Sequence, residues 1–110
     1  MNEENHHLLV LSTCPDRSTA EHIARITVEE KMAACVNLVP GIESFFHWEG
    51  KLDTASEVLL VMKTTMDCYA TLETLVKQHH PCELPEIIAV PIVNGLKDYL
   101  NWVSSNTKSS

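Results

Sequence analysis

Two long segments rich in β-forming residues, joined by a single turn, constrain the fold of this chain more than any other feature. The first runs from Ala33 to Trp48 and is interrupted only by Pro40-Gly41, where proline cannot donate a ladder hydrogen bond. Glu49-Gly50 then suits a tight turn into the second segment, Lys51–Thr65. The sequence therefore predicts a long β-hairpin with a bulge or bend at Pro40-Gly41.

The two ends of this hairpin have different expected surroundings. Val58–Met62 should be its most buried part, because the run is continuously apolar. The outer end, Phe45–Thr54, should project beyond a domain of 110 residues. Phe45, Phe46 and Trp48 on such an arm are more aromatic surface than one monomer easily covers. The arm therefore indicates a partner subunit.

Shorter patterns predict a strand and a helix before the hairpin. The run His7–Thr13 is almost continuously apolar and is stopped by Cys14-Pro15-Asp16, which is typical of a strand buried on both faces. Ser18 and Glu21 have the spacing of a capping box, and apolar residues then recur at helical spacing to about Met32. A first helix is predicted over this stretch.

The chain after the hairpin predicts two more helices and one more strand. A helix begins at Asp67, a favourable cap, and is closed by Pro81. A strand covers Glu86–Val93, and its Pro91 must lie at a sheet edge or a bulge. Asn94-Gly95 then caps a short last helix.

The order of these elements is that of an α+β, ferredoxin-like βαββαβ sandwich with a C-terminal helix and a long β-hairpin arm. Right-handed crossovers place two helices on one face of an antiparallel sheet and leave the other face to be covered, most simply by oligomerisation. Residues 1–110 should form a single domain. We expect residues 1–6 and 105–110 to be disordered tails.

Composition excludes several classes of partner. Eight basic residues against 15 acidic ones give a formal charge of −7, which repels nucleic acid, so we expect no nucleic-acid partner. No apolar run approaches the roughly 18 residues of a membrane helix, and Met1–His7 lacks the pattern of a signal segment, so we expect a cytoplasmic protein without a membrane partner. The four cysteines form no CxxC pair and are predicted to be thiols.

The stretch His79–Glu83, reading HHPCE, concentrates potential metal ligands. Imidazole suits Cu²⁺, Zn²⁺ and Ni²⁺, and thiolate favours Cu⁺ and Zn²⁺. Adjacent histidines on a regular helix point about 100° apart, so they can share an ion only beyond the helix end that Pro81 imposes. A structural role stays open, because His79 lies on the apolar stripe of its helix and a histidine near a helix C-terminus is often a hydrogen-bonded or favourably charged residue.

The chain resembles the CutA family of divalent-cation tolerance proteins from Leu8 to Trp102, in four blocks that occur in the right order: AACVNLVPGIESFFHWEGKL, VLLVMKTT, HHPCELPEI and GLKDYLNW. The resemblance implies a ferredoxin-like subunit in a tight homotrimer, with hairpin arms that reach across neighbouring subunits. It also implies binding of divalent metals, Cu²⁺ first with Zn²⁺ as an alternative, and a link to heavy-metal tolerance.

The resemblance also implies the site. The family's copper ligands fall on His79 and His80. A cysteine that some members use near the end of the first strand is replaced by Ser12, and Cys14, two residues further on, should point to the same face. Members commonly read His-Pro-Tyr-Glu where this chain has Cys82 in place of the tyrosine. The predicted metal ligands are therefore His79, His80, Cys14 and Cys82.

Two other hypotheses stay open. The chain is also similar to the PII signalling proteins, trimers of ferredoxin-like subunits, in which case a cleft between subunits would bind a small organic anion or a partner protein. An enzyme with Cys82 or Cys14 as nucleophile would need a lowered thiol pKa, which the helix C-terminus before Cys82 opposes. No catalytic sequence motif is found, so we expect that the protein is not an enzyme.

Overall fold

Four strands and three helices make up the part of the chain that the computed structural model describes, residues 7–108. None of these helices is long and apolar enough to cross a membrane. The order of strands and helices is the predicted one. The elements are β1 (His7–Cys14), α1 (Arg17–Glu29), β2 (Cys35–Trp48), β3 (Lys51–Thr65), α2 (Met66–His79), β4 (Ile88–Pro91) and α3 (Lys97–Ser105).

The strands form one antiparallel sheet in the order β2-β3-β1-β4. This order confirms the predicted ferredoxin-like α+β fold. Strand β1 pairs with β3 over its whole length, from His7 opposite Thr65 to Cys14 opposite Val58. Because β1 is central and its side chains alternate between the faces, its C-terminal end carries Ser12 and Cys14 toward the same side.

The core lies between one face of the sheet and the helices α1 and α2. Burying each large apolar side chain there stabilises the fold by about 1.5–3 kcal/mol relative to exposure. Two buried threonines are satisfied: Thr27 Oγ1 donates to the carbonyl of Ile23 at 2.8 Å, and Thr64 Oγ1 to that of Met32 at 2.6 Å. The large apolar side chains that are fully buried include Val10, Ile23, Leu60, Met62, Leu72 and Val76.

The β2–β3 hairpin is as long as predicted and has both predicted irregularities. The register shifts between Val39 and Ile42, where Gly41 has φ +79°. Glu49 and Gly50 form the turn with φ of 52° and 79°, the two positive values of a type I′ hairpin. The molecule measures 46 Å along its longest axis against 25 and 22 Å along the others.

The N-termini of the two long helices are capped differently from the prediction. Asp16, not Ser18, is the N-cap of α1, and its carboxylate accepts the Thr19 N–H at 2.8 Å. Helix α2 follows Thr65, whose side chain makes no capping hydrogen bond. The predicted cap Asp67 lies inside the first turn, where a carboxylate still interacts favourably with the helix dipole.

Helix α1 ends at Glu29 rather than near Met32. Lys31 adopts φ 63°, and its N–H donates to the carbonyl of Val28 at 3.0 Å. The Met32 N–H donates to the carbonyl of Thr27 at 2.9 Å. These two bonds make a Schellman motif with a lysine at the left-handed position that glycine usually occupies.

The C-terminal elements have different bounds from those predicted. Strand β4 covers only Ile88–Pro91 instead of Glu86–Val93, because only these four residues pair with β1. Pro91 lies at a sheet edge, as predicted. Helix α3 begins at Lys97, so Asn94-Gly95 is not its cap.

Helix α3 packs on the sheet face opposite α1 and α2. His7 Nε2 lies 2.8 Å from Ser104 Oγ, and side-chain alternation turns His7 away from the core residue Leu8. Val103 of α3 is fully buried. The rest of this face stays partly exposed: Ile88 is 50% exposed, Val90 43% and Val39 39%.

The predicted tails are described only in part. Ser105 is the last residue of α3, and the Lys108 N–H donates to the carbonyl of Lys31 at 2.8 Å. Residues 1–6, 109 and 110 lie outside the described residues.

Candidate functional site

The C-terminal end of α2 is attached to the end of β1 through His80. Its ring is buried, and its Nε2 lies 2.7 Å from the carbonyl oxygen of Thr13, to which it donates. Its Nδ1 accepts the backbone N–H of Cys82 at 3.1 Å. Both ring nitrogens are therefore engaged, and the two partners fix the neutral tautomer that is protonated at Nε2.

His79 faces a different element. Its Nδ1 lies 2.9 Å from Nε2 of His22 on α1, and the ring centroids are 4.8 Å apart with the planes tilted by 58°. The two adjacent histidines of the HHPCE stretch thus have different neighbours, as the helical rotation of about 100° per residue requires. His80 lies against β1, and His79 against α1.

The two predicted cysteine ligands differ in exposure. Cys14 is fully buried, and burial raises the pKa of its thiol to about 11, with further contributions from the nearby Cys82, Asp16 and Glu57. Cys82 is exposed in the segment after α2. Ser12 shares the core-facing side of β1 with Cys14, as alternation predicts, and its buried Oγ has no hydrogen-bond partner among the described residues.

An open groove of about 750 Å³ lies between the hairpin arm and the segment after α2. Phe45, Phe46 and Trp48 line it from the arm, and His80 and Cys82 from the α2 side. The groove combines aromatic surface with negative charge. Its carboxylates are Asp53, Glu57, Glu83 and Glu86.

A second, shallower groove of about 440 Å³ lies between the N-terminal part of α1 and the end of α2. Its lining includes Ser18, His22, Gln78, His79 and Pro81. His79 therefore belongs to this groove, and His80 lines both.

The four predicted metal ligands share a neighbourhood without forming one ligand sphere. Among residues 7–108, no group of three or more His, Cys, Asp or Glu side chains is arranged to hold a metal ion. The donor types fit Cu²⁺ or Zn²⁺, but His80 is bonded at both nitrogens and His79 is paired with His22. The arrangement as it stands brings Cys14, His80 and Cys82 around the end of β1, and His79 beside α1.

Sequence reasoning missed two residues of this region. His22 is exposed on α1, yet it pairs with His79 across 57 positions. Glu57, on β3, contributes to the raised pKa of Cys14. Only the packing of α1 on α2, and of β3 beside β1, brings these side chains to the site, so no local pattern could have identified them.

The sheet order and the junction of β1 with α2 define a ferredoxin-like protein with imidazole and thiol groups beside an acidic groove. The family model of the CutA1 divalent ion tolerance protein matches residues 8–106. The chain belongs to the CutA1 family.

Individual relatives agree over nearly the whole chain. The divalent-cation tolerance protein CutA of Yersinia pestis (strain Pestoides F) is 43% identical over 99 residues, which cover 90% of this chain and 83% of that protein. The crystal structure of CutA from Xylella fastidiosa matches with a TM-score of 0.92 and 40% identity, covering 94% of this chain and 99% of that one. A structure described as the periplasmic divalent cation tolerance protein CutA from Archaeoglobus fulgidus matches with a TM-score of 0.90 and 40% identity, covering 93% and 99%.

Proposed function

We propose that this protein is a homotrimeric cytoplasmic metal-binding protein that takes up Cu²⁺, or Zn²⁺ in its place, as part of tolerance to heavy metals. The proposed ligands are His79, His80, Cys14 and Cys82. The hydrogen bond from His80 to Thr13 carries the proposal, because it joins chain segments 67 residues apart and so brings the His80 imidazole and the Cys82 thiol to one groove, next to the strand end that holds the buried Cys14.

The chemistry of these groups sets conditions on binding. Cys14 has a thiol pKa raised to about 11, so at neutral pH a metal must displace its proton, and binding through this sulfur should strengthen as pH rises. His80 can coordinate through Nδ1 only if it gives up the Cys82 N–H. Metal binding by these residues therefore includes a rearrangement of the backbone after Pro81.

The charge around the groove favours a cation. Four carboxylates line it, and the chain as a whole has a formal charge of −7. An acidic cleft raises the local concentration of cations and lowers that of anions. The two imidazoles favour Cu²⁺, which generally binds a nitrogen site most tightly among divalent ions, whereas the two thiols suit Zn²⁺ equally well.

Assembly into a trimer is supported by apolar surface that the monomer leaves uncovered. On the arm, Phe45 is 70% exposed and Leu52 69%. On the sheet face that α3 covers only in part, Ile88 and Val90 are about half exposed. Exposed apolar surface on two separate elements is typical of protein interfaces.

Calorimetric titration with Cu²⁺ and with Zn²⁺ in oxygen-free buffer tests the metal site. Cys82→Ser and His80→Gln should each lower the affinity at least about tenfold, since loss of even an outer-shell partner costs that much. Ser12→Cys, which supplies the thiol that the family resemblance places there, should raise it. Cys35→Ser, which removes a thiol outside both the predicted ligand set and the groove lining, is the matched control. Wild-type affinity in both Cys82→Ser and His80→Gln would refute the site.

The size of the groove favours one alternative function. A volume of about 750 Å³ lies within the range of small-molecule sites, as a regulatory module similar to the PII proteins requires. The lining carboxylates disfavour an organic anion there. A thermal-shift screen separates the two: stabilisation by a nucleotide or metabolite that persists in excess chelator supports the alternative.

No catalytic role is proposed. A cysteine nucleophile needs a thiolate near neutral pH, and the pKa of Cys14 is raised rather than lowered. Chelator should leave assembly and fold intact, because the apolar core between the sheet and two helices, in which Cys14 packs as a buried thiol, is complete without a metal.

A further inference from the structure

The pairing of His22 with His79 is not explained by the proposed site. His22 lies on α1 and His79 on α2, and their facing nitrogens, Nε2 and Nδ1, are 2.9 Å apart. His79 is only partly buried and His22 is exposed, so burial in the core does not force the rings together. Two imidazoles held with one nitrogen of each ring pointing at the other, beside a groove, are a potential chelating pair.

We propose that His22 and His79 form a second, two-imidazole site for a divalent transition metal with tetragonal coordination, Cu²⁺ or Ni²⁺, that links α1 to α2. The ion binds His22 Nε2 and His79 Nδ1, and water completes its coordination. The site proposed under the function has four ligands, and this second site shares only His79 with it. Those four ligands are Cys14, His79, His80 and Cys82.

The separation of the two nitrogens suits a metal that takes neighbouring ligands at right angles. Metal–imidazole bonds are about 2.0–2.1 Å long, so nitrogens 2.9 Å apart subtend about 90° at the ion. That is the angle between neighbouring ligands in the square-planar or tetragonal geometry of Cu²⁺ and Ni²⁺. A tetrahedral Zn²⁺ ion would need the nitrogens about 3.3 Å apart.

Protonation of the pair is compatible with binding. In the hydrogen bond, one of the facing nitrogens carries the proton and the other accepts it. When the metal binds, that proton moves to the second nitrogen of its own ring, and both facing lone pairs become ligands. Two neutral imidazoles therefore bind the ion without net release of a proton.

The surroundings leave room for a hydrated ion. The groove beside the pair has a volume of about 440 Å³, and its lining includes no lysine or arginine. Ser18, Thr19 and Gln78 line it with oxygen-bearing side chains that can accept hydrogen bonds from metal-bound water. Each lone pair must turn by about 45° from the partner nitrogen toward a common ion, and the groove beside the exposed His22 leaves space for that rotation.

Titration of the full chain with NiCl₂ and CuCl₂ tests the inference. His22→Gln should lower the affinity at least about tenfold, because a lost ligand costs at least as much as a lost outer-shell partner. His47→Gln removes an exposed histidine that lines the other groove and not this one, so it should leave the affinity of the His22–His79 pair for metal unchanged. In a His80→Gln background, which removes the second imidazole of the other proposed site, the Cu²⁺ electron paramagnetic resonance spectrum should show two equatorial nitrogens with His22 present and one after His22→Gln.

Cys82→Ser separates this inference from the proposed function. If His22→Gln loses affinity and Cys82→Ser does not, the His22–His79 site holds the metal and the thiol site does not. If Cys82→Ser loses affinity and His22→Gln binds like wild type, the inference is wrong and the proposed function stands. Equal nitrogen coordination in the resonance spectra of His80→Gln with and without His22→Gln would also overturn it.

Discussion

His80 donates from Nε2 to the carbonyl oxygen of Thr13, and this 2.7 Å hydrogen bond attaches the end of α2 to the end of β1. The same ring accepts the Cys82 N–H, so one side chain organises the chain on both sides of Pro81. The position of Cys82 beside the large groove depends on it.

Replacing His80 by alanine should lower the free energy of unfolding by about 1–3 kcal/mol, because the half-buried Thr13 carbonyl and the Cys82 N–H both lose a partner. Urea denaturation followed by circular dichroism measures this. His47→Ala, at an exposed position of the arm, should change stability by less than about 0.5 kcal/mol. Equal stability of the two variants would show that the bond to Thr13 contributes nothing.

Asp16 should make α1 sensitive to acid. Its hydrogen bond from the Thr19 N–H lowers the pKa of its carboxyl group, so its stabilising effect is present above the unfolded-state pKa and is lost as pH falls through the folded-state value. Asp16→Ala should therefore lower the melting temperature at pH 7. Asp16→Asn, which keeps an acceptor, should lose the dependence on acid.

Ser18→Ala is the matched control for this cap, since Ser18 was the cap predicted from sequence. Its melting temperature should stay close to that of wild type. A larger loss in Ser18→Ala than in Asp16→Ala would contradict the assignment of the cap to Asp16.

Cys14 should make the fold less stable in alkali. The pKa of its thiol is raised from an ordinary value of 9.0 to about 11 in the folded chain, so the unfolded chain loses the proton first. The protonated Cys14 thiol therefore contributes on the order of 2 kcal/mol to the free energy of unfolding. This contribution is complete below about pH 9 and is lost as pH rises through about 11. Denaturation at several pH values measures it, and the slope should be smaller in Cys14→Ala. Identical slopes would mean that Cys14 titrates normally.

Lys31 occupies a left-handed backbone conformation, with φ 63°, at the end of α1. Lys31→Gly should raise the free energy of unfolding by about 1 kcal/mol, because glycine adopts this conformation without a steric cost. Arg25→Gly, inside the same helix, should lower it by about 1 kcal/mol. Urea denaturation of both variants checks that the two changes in the free energy of unfolding have opposite signs. A destabilised Lys31→Gly variant would argue against strain at this residue.

Trp48 should matter for assembly. It is 39% exposed in the single chain, and its full burial between subunits would make Trp48→Ala cost about 3–5 kcal/mol per site. Sedimentation over a range of concentrations should show dissociation of the variant where wild type stays assembled. Val28→Ala removes an apolar side chain that is 40% exposed on α1 and should assemble normally. Wild-type assembly by Trp48→Ala would place the interface elsewhere.

Local chemistry accounts for what could be predicted. The alternating and helical apolar patterns, the Glu49-Gly50 turn and Pro81 each act over a few residues, so the order of elements, the hairpin and the end of α2 were predicted from sequence. The N-cap of α1 was harder to predict from sequence, because Asp16 and Ser18 lie two residues apart and the side chains of both can accept hydrogen bonds. The structure selects Asp16 because its carboxylate reaches the Thr19 N–H.

The amino-acid sequence by itself determined the fold class, the ending of α2 at Pro81 and the concentration of imidazole and thiol groups at that ending. Only the tertiary structure decided which groups they meet. His79 meets His22 from 57 residues away, and His80 meets Thr13 from 67 residues away. The physical reason is that a ligand set depends on distances between elements, and these are fixed by the packing of α1, α2 and β1 around a shared core rather than by any local pattern.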